Sequence, residues 1–127
     1  MAVEVVSVDG ESDEAGDFYE VFDAAGIHLN RCEEPFLAAL DGDEVVGGVA
    51  LDQGDGCWWS FSVAVRPGRQ GDGVGKALIR RLLAEARAAD SEVERVEADV
   101  VNARLRTYLR SLGFCEEPGS RVMFQKI

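Results

Sequence analysis

The stretch that most limits what this chain can become is CWWSFSVAVRPGRQGDGVGKA, residues 57–77. An aromatic and β-branched run ends at Val65, and a glycine-studded loop follows. From Val74 a helical stripe begins: Ala77, Leu78, Leu82, Leu83 and Ala86 recur on one face, with Arg80, Arg81, Glu85 and Arg87 largely off it. EVERVEADVV, residues 92–101, then reads as another strand from its β-branched content. A strand, a crossover helix and a second strand favour parallel pairing with a right-handed connection. The rest of the chain must be arranged around that unit.

Upstream, VEVVSV (residues 3–8) reads as a strand. Ser12 is a plausible N-cap for a first helix whose apolar face is Ala15, Phe18, Val21, Phe22 and Ala25, ended by Gly26. FLAAL and EVVGGVALD flank Asp41-Gly42-Asp43, a hairpin signal, and QGDG turns the chain into CWWSFSVAV. Downstream, ARLRTYLRSL forms a helix ended by Gly113, and FCEE and RVMFQKI flank a Pro118-Gly119-Ser120 turn as a closing hairpin. The order is β-α-β-β-β-α-β-α-β-β. It predicts an α+β fold, an α/β/α sandwich with a mixed, largely antiparallel sheet of about seven strands. With 127 residues and no linker or repeat, residues 1–127 read as a single domain.

Composition narrows the function classes. Cys32, Cys57 and Cys115 are scattered and His28 stands alone, so neither a zinc site nor a disulfide framework is expected, and a reduced, cytoplasmic setting fits. No apolar run approaches the roughly 20 residues of a membrane span. The net charge of −11 is unevenly spread: residues 1–65 hold fifteen acids against Arg31, while residues 66–127 hold nine acids against twelve bases. A polyanionic ligand on the second half and a cationic partner on the first would suit that asymmetry. Adaptation to high salt accounts for the acidic surface more simply, given only two lysines, Lys76 and Lys126. Nucleic acid is disfavoured because no basic face outweighs the acids.

The glycine loop itself points to an anion. Gly71, Gly73 and Gly75 leave backbone N–H groups uncovered where a helix begins, and the positive end of the helix dipole lies there. Lys76, Arg66 and Arg69 add full charges, so a phosphate is the natural guest. Two familiar phosphate motifs fail on spacing. A P-loop requires Gly at position 70 and Ser or Thr at 77, occupied by Gln70 and Ala77; the dinucleotide fingerprint G-x-G-x-x-G, read from Gly71, meets Lys76 where its last glycine belongs.

Gln70, Gly73 and Gly75 do fit Q/R-x-x-G-x-G/A after a strand end. This resembles the acyl-CoA-binding motif of the GNAT superfamily of N-acyltransferases. The element order is similar to that family over nearly the whole chain, and NARLRTYLRSLGF places Asn102 eleven residues before Gly113-Phe114, as in the family's N-x-x-A-x-x-x-Y-x-x-x-G-F region. The resemblance implies acetyl-CoA, or another short acyl-CoA, as co-substrate, with no metal. It also implies that the backbone of Val63, Ala64 and Val65 pairs with the pantetheine arm like an added strand and aims an N–H at the acyl carbonyl, a donor worth about 3 kcal/mol in comparable sites. Gln70, Gly71, Asp72, Gly73, Val74, Gly75 and Lys76 would hold the pyrophosphate, and Asn102 would bond the pantetheine arm.

Two departures from the family pattern bear on chemistry. The slot of the family's acidic tyrosine, four residues before the glycine of GF, is Leu109; Tyr108 stands one residue earlier, about 100° round the helix, and reads as a packed aromatic more readily than as the acid. A thiolate, with a thiol reference pKa of ~8.5, leaves tolerably without help. The strand that often carries the family's carboxylate base holds none at positions 57–62. Ser60 or Ser62 could instead order a water leading to Asp99, Glu97 or an acid of the first half. Trp58 and Trp59 face opposite ways, one to the core and one free to wall an acceptor pocket. Arg104, Arg106 and Arg110 could reach phosphates or simply form an exposed face. The resulting expectation is an acetyl-CoA-dependent N-acetyltransferase acting on a small or protein-borne primary amine, as a monomer or homodimer. The alternative is an acyl-CoA-binding sensor or regulatory module with little chemistry.

Overall fold

The computed structural model describes residues 3–89, 92–100 and 102–127. Its elements follow the expected order: β1 (Glu4–Ser7), α1 (Ala15–Ala24), β2 (Glu34–Asp41), β3 (Glu44–Asp52), β4 (Trp58–Val65), α2 (Val74–Ala88), β5 (Arg95–Asp99), α3 (Ala103–Ser111), β6 (Cys115–Glu116) and β7 (Val122–Lys126). The strands form one seven-stranded sheet in the order β1-β2-β3-β4-β5-β7-β6. Only β4 and β5 run parallel. The strand expected over residues 92–101 is shorter, and its Val101 lies outside the described residues.

The helices cover both faces. Trp59 and Phe61 of β4 share a core with Leu78, Ile79 and Leu82 of α2 and Leu109 of α3, whereas Ala50 and Ala64 pack with Phe18, Val21 and Phe22 of α1. Adjacent glycines in β3 let the helices come this close. A Cβ on Gly48 would stand 2.5 Å from Phe18 Cε2, and one on Gly47 would stand 2.9 Å from Val74 Cγ1 on the opposite face.

Both short helices stop as their sequences predict. Gly26, at φ 73°, follows α1; its N–H bonds to Asp23 C=O, and Ile27 N–H bonds to Phe22 C=O. Gly113, at φ 96°, repeats this after α3, with Phe114 N–H on Leu109 C=O. These bonds satisfy carbonyls that a helix end leaves unpaired. The start of α1 differs from expectation. Its N-cap is Glu14 and no side chain caps it, because Ser12 is engaged one turn earlier, where its hydroxyl accepts from Asp9 N–H at 2.9 Å.

Candidate active site

The parallel pair at the centre of the sheet opens. β4 pairs with β3 from Ser60 to Val65, but with β5 only at Trp58, Trp59 and Ser60. β5 then stays with β7 as far as Asp99. Two hydrogen bonds define which way the unpaired part of β4 faces. Cys57 C=O accepts from Glu94 N–H at 2.8 Å on the β5 side, and Arg66 N–H donates to Val46 C=O at 2.8 Å on the β3 side. Alternation between those points turns the backbone groups of Phe61, Val63 and Val65 toward the gap and those of Ala64 toward β3. Of the three residues expected to meet an added strand, Val63 presents its main chain to the gap, Val65 does so with its C=O already accepting from Gln70 Nε2, and Ala64 spends its own within the sheet.

The mouth of the gap is formed by the glycine loop and α2. Gly73 is the N-cap of α2 in a left-handed conformation (φ 83°, ψ 7°) with no side-chain cap, and Gly71 has φ 93°. Their requirement for glycine is conformational, since a Cβ on either would meet no protein atom within 4 Å. Gly75 has an ordinary helical φ and a different role. A Cβ there would stand 3.4 Å from the Tyr108 hydroxyl and 3.5 Å from Val65 Cγ2. Tyr108 of α3, the end of β4 and the start of α2 therefore converge at one point. The first intrahelical bond of α2 is from Ala77 N–H to Gly73 C=O, so the N–H groups of Val74, Gly75 and Lys76 precede it as donors for an anion.

The cations expected to help are differently employed. Arg69 lies among Asp41, Glu44 and Asp72 at 3.1, 3.7 and 3.4 Å, and Arg66 Nε donates to Val45 C=O at 3.2 Å. Both brace the loop, and Lys76 is the exposed cation at the helix start. Gln70 Nε2 donates to Val65 C=O at 3.4 Å, closing the loop back onto the strand. Asn102 caps α3, its Oδ1 accepting from Leu105 N–H at 2.7 Å, which leaves the amide NH₂ as donor. Arg106 and Arg110 both turn to Glu116.

Tyr108 is half-buried, and burial pushes its hydroxyl up to about 12, against a smaller opposing effect of Arg80. It is a hydrogen-bond donor throughout the neutral range. The neighbouring slot, Leu109, is fully buried in the α2-side core. On the α1 side of the sheet, the Ser62 hydroxyl donates to Glu33 Oε2 at 2.6 Å. Glu97 is engaged by Arg95, whose Nε donates to it at 2.9 Å, whereas Asp99 is exposed with Arg121 Nε 3.6 Å away. Trp59 is core and Trp58 is 50% exposed, with the Arg95 guanidinium 4.5 Å from its ring centroid. Sequence spacing did not single out Glu33 or Arg95; their partners are 29 and 22 residues away, at Ser62 and Glu117. Among the described residues, no three His, Cys, Asp or Glu side chains gather as a metal site, and no helix is long and apolar enough to cross a membrane.

An opened parallel pair beside an uncapped, glycine-led helix start defines a fold that can receive an extended ligand with an anionic end. The model of the acetyltransferase (GNAT) family matches residues 5–114, and the chain belongs to that family. Solved structures agree on the fold. A GNAT family acetyltransferase from Brucella melitensis in complex with acetyl-CoA superposes with a TM-score of 0.75 at 19% identity, covering 99% of this chain and 88% of that one. The ribosomal-protein-S18-alanine N-acetyltransferase from Escherichia coli gives 0.75 at 17%, covering 99% and 94%. An aminoglycoside 6′-N-acetyltransferase complexed with coenzyme A gives 0.72 at 12%, covering 97% and 96%.

Proposed function

We propose that this protein is an N-acetyltransferase that moves an acetyl or other short acyl group from an acyl-CoA to a primary amine. The observation that carries the reading is the β5-side edge of β4, which no strand pairs from Phe61 to Val65 and which opens onto the glycine-led start of α2. A thioester supplies an activated acyl carbonyl and a good leaving group. An extended arm with amide groups can add to Val63 and Val65 as a strand would, while the Asn102 amide donates from α3. The N–H groups of Gly71 to Lys76 suit a diphosphate, with Lys76 adding charge. Glycine at 71 and 73 keeps that surface bare, and Ala64 supports it by holding β4 to β3. Asp72 is turned to Arg69, which offsets its charge beside an anion.

The chemistry asked of the chain is modest. A β4 N–H aimed into the gap can donate to a carbonyl oxygen as negative charge grows on it, an interaction that strengthens toward the transition state. Tyr108 lies by Gly75 and Val65 as a protonated donor that can steady a departing sulfur. With its hydroxyl at about 12, against ~8.5 for a thiol, a completed proton transfer runs uphill, so its contribution is a hydrogen bond.

The relatives support the cofactor, since two of the similar structures are described as complexes with acetyl-CoA or coenzyme A. Thermal-shift titrations with acetyl-CoA, free CoA, ATP and NAD test this first. Stabilisation by both CoA species but neither nucleotide is expected, followed by amine-dependent appearance of free CoA thiol. Failure of acetyl-CoA to stabilise the protein at millimolar concentration would sink the proposal.

A further inference from the structure

Glu33 belongs to the segment between α1 and β2, yet its carboxylate is held from two sides. Oε2 accepts from the Ser62 hydroxyl at 2.6 Å, and Oε1 accepts from Asn30 N–H at 3.2 Å. Asn30 returns the contact, its Oδ1 accepting from Cys32 N–H at 2.8 Å and Glu33 N–H at 3.0 Å. The side chain thus has one orientation. A carboxylate offers about four lone-pair sites, so roughly half its accepting capacity is left for a ligand. Among the described residues, no cation pairs with it.

The same residue lines a cavity of about 390 Å³ together with Tyr19, Asp23, His28, Leu29 and Arg31. That volume suits a small molecule. Ser62 immediately precedes Val63, whose main chain turns to the β4–β5 gap. Glu33 therefore links a cavity under α1 to the strand beside which an acyl group would lie. Of the acids expected to serve β4, Glu97 accepts from Arg95, and Asp99 is an exposed side chain with Arg121 3.6 Å away. The formally charged side chains that line the cavity are Asp23 and Glu33 against Arg31, and the rest of α1 adds Asp17 and Glu20 and no base.

We propose that Glu33, seated on Ser62, receives the acceptor's ammonium from this cavity and takes its proton, and that the acceptor is a small di- or polyamine; this rests on the acyl-transfer reading above. The first proton of the ammonium leaves through the carboxylate to solvent, an uphill step that the C–N bond formed next draws forward. The nitrogen lone pair forms the C–N bond as the C–S bond breaks, and the nitrogen's second proton ends on the departing sulfur. Ser62 is a positioning residue that holds the carboxylate toward β4.

The test compares the wild type with Glu33→Gln and Ser62→Ala. Acetyl-CoA affinity is measured by calorimetry, and CoA release is followed with spermidine, γ-aminobutyrate and a lysine-containing peptide as acceptors. Glu33→Gln keeps an oxygen to accept from Ser62 but cannot take a proton. It is expected to lower kcat with spermidine about 100-fold, with acetyl-CoA affinity and Tm nearly unchanged. Ser62→Ala should lower kcat about tenfold and raise KM, because the carboxylate survives without its orientation, and it decides the matter if Glu33→Gln does not fold. Spermidine turnover unaffected by either variant would overturn the assignment of Glu33. Preference for γ-aminobutyrate or the peptide, or no turnover of spermidine by a wild type that binds acetyl-CoA, would overturn the acceptor class. A wild type that fails to bind acetyl-CoA would overturn the acyl-transfer reading itself.

Discussion

Arg69 Nη1 lies 3.1 Å from Asp41 Oδ2, an ion pair that fastens the loop before α2 to the tip of the β2–β3 hairpin. The same guanidinium reaches Glu44 at 3.7 Å and Asp72, inside the glycine loop, at 3.4 Å. With its side chain only 18% exposed, Arg69 ties three carboxylates into one network, which holds its geometry better than an isolated surface pair. The bare helix start of α2 is thereby carried on a braced support.

Arg69→Ala should release that brace. Because the partner carboxylates are largely solvent-exposed, the stability cost is modest, ~1 kcal/mol. Acetyl-CoA affinity is expected to fall about fivefold as the loop loses its anchor, and calorimetry at low salt reads the loss. In 1 M salt, where the Debye length is ~3 Å, wild type and variant should converge. An affinity identical to wild type at low salt would show that the loop holds its shape unaided.

Gly73 and Gly75 should separate folding from binding. Gly73→Ala forces an L-residue to φ 83° and should cost ~1–2 kcal/mol in urea unfolding. Gly75→Ala meets no such strain and gains helix propensity, so its stability should stay within ~1 kcal/mol of wild type. Its methyl group enters the point where Tyr108 and Val65 meet, and acetyl-CoA binding should weaken about tenfold. Equal effects of the two substitutions on stability would contradict this division.

Tyr108→Phe should leave stability near neutral pH within ~1 kcal/mol and lower kcat a few-fold, consistent with loss of one hydrogen bond. The pH dependence has a definite sign. The folded hydroxyl is raised to about 12 from an ordinary value of 10, so the native state holds this proton more tightly than the unfolded chain. Its contribution is present below pH 10 and is lost as pH rises toward 12. The Tm of the wild type should drop relative to Tyr108→Phe across that window, and the kcat profile should show no Tyr108-dependent fall below pH 10. Parallel Tm curves would refute the raised hydroxyl.

Gly48→Ala should be the most disruptive glycine change in the core. Its Cβ would stand 2.5 Å from Phe18 Cε2 and 3.3 Å from Leu37 O, and Phe18 is itself fully buried against Phe22. A cost of ~2–3 kcal/mol is expected from overpacking. Gly16→Ala in α1 meets nothing within 4 Å and should stabilise by ~0.5–1 kcal/mol. Chemical unfolding of both variants checks the pair.

Much of this is legible in the amino-acid sequence. The stripe from Val74 to Ala86, the glycines after α1 and α3, and the Asp41–Glu44 turn produced the observed elements nearly to the residue. β2 starts earlier than its apolar run, at Glu34, because Pro35 lies beyond the β1 ladder, which ends at Ser7 opposite Leu37. There a missing N–H is tolerated. Ser12 misled as a cap because Asp9 was near enough to compete for its hydroxyl. Around the candidate site, Gly73 leads α2 and Asn102 caps α3, both at helix starts that the sequence marks, whereas the partners of Arg66 and Arg69 come from the β2–β3 hairpin and could not be read locally.

Element order, helix stops and the glycine-led loop are written locally in the chain, because periodicity, glycine conformation and capping act over a few residues. The parting of β4 from β5 after Ser60, the sharing of Arg69 by three acids and the seat of Glu33 on Ser62 arise from the packed fold alone. Those relationships depend on strand register and on how segments distant in sequence meet across the sheet, and no local pattern encodes which carboxylate a hydroxyl or a guanidinium will find there.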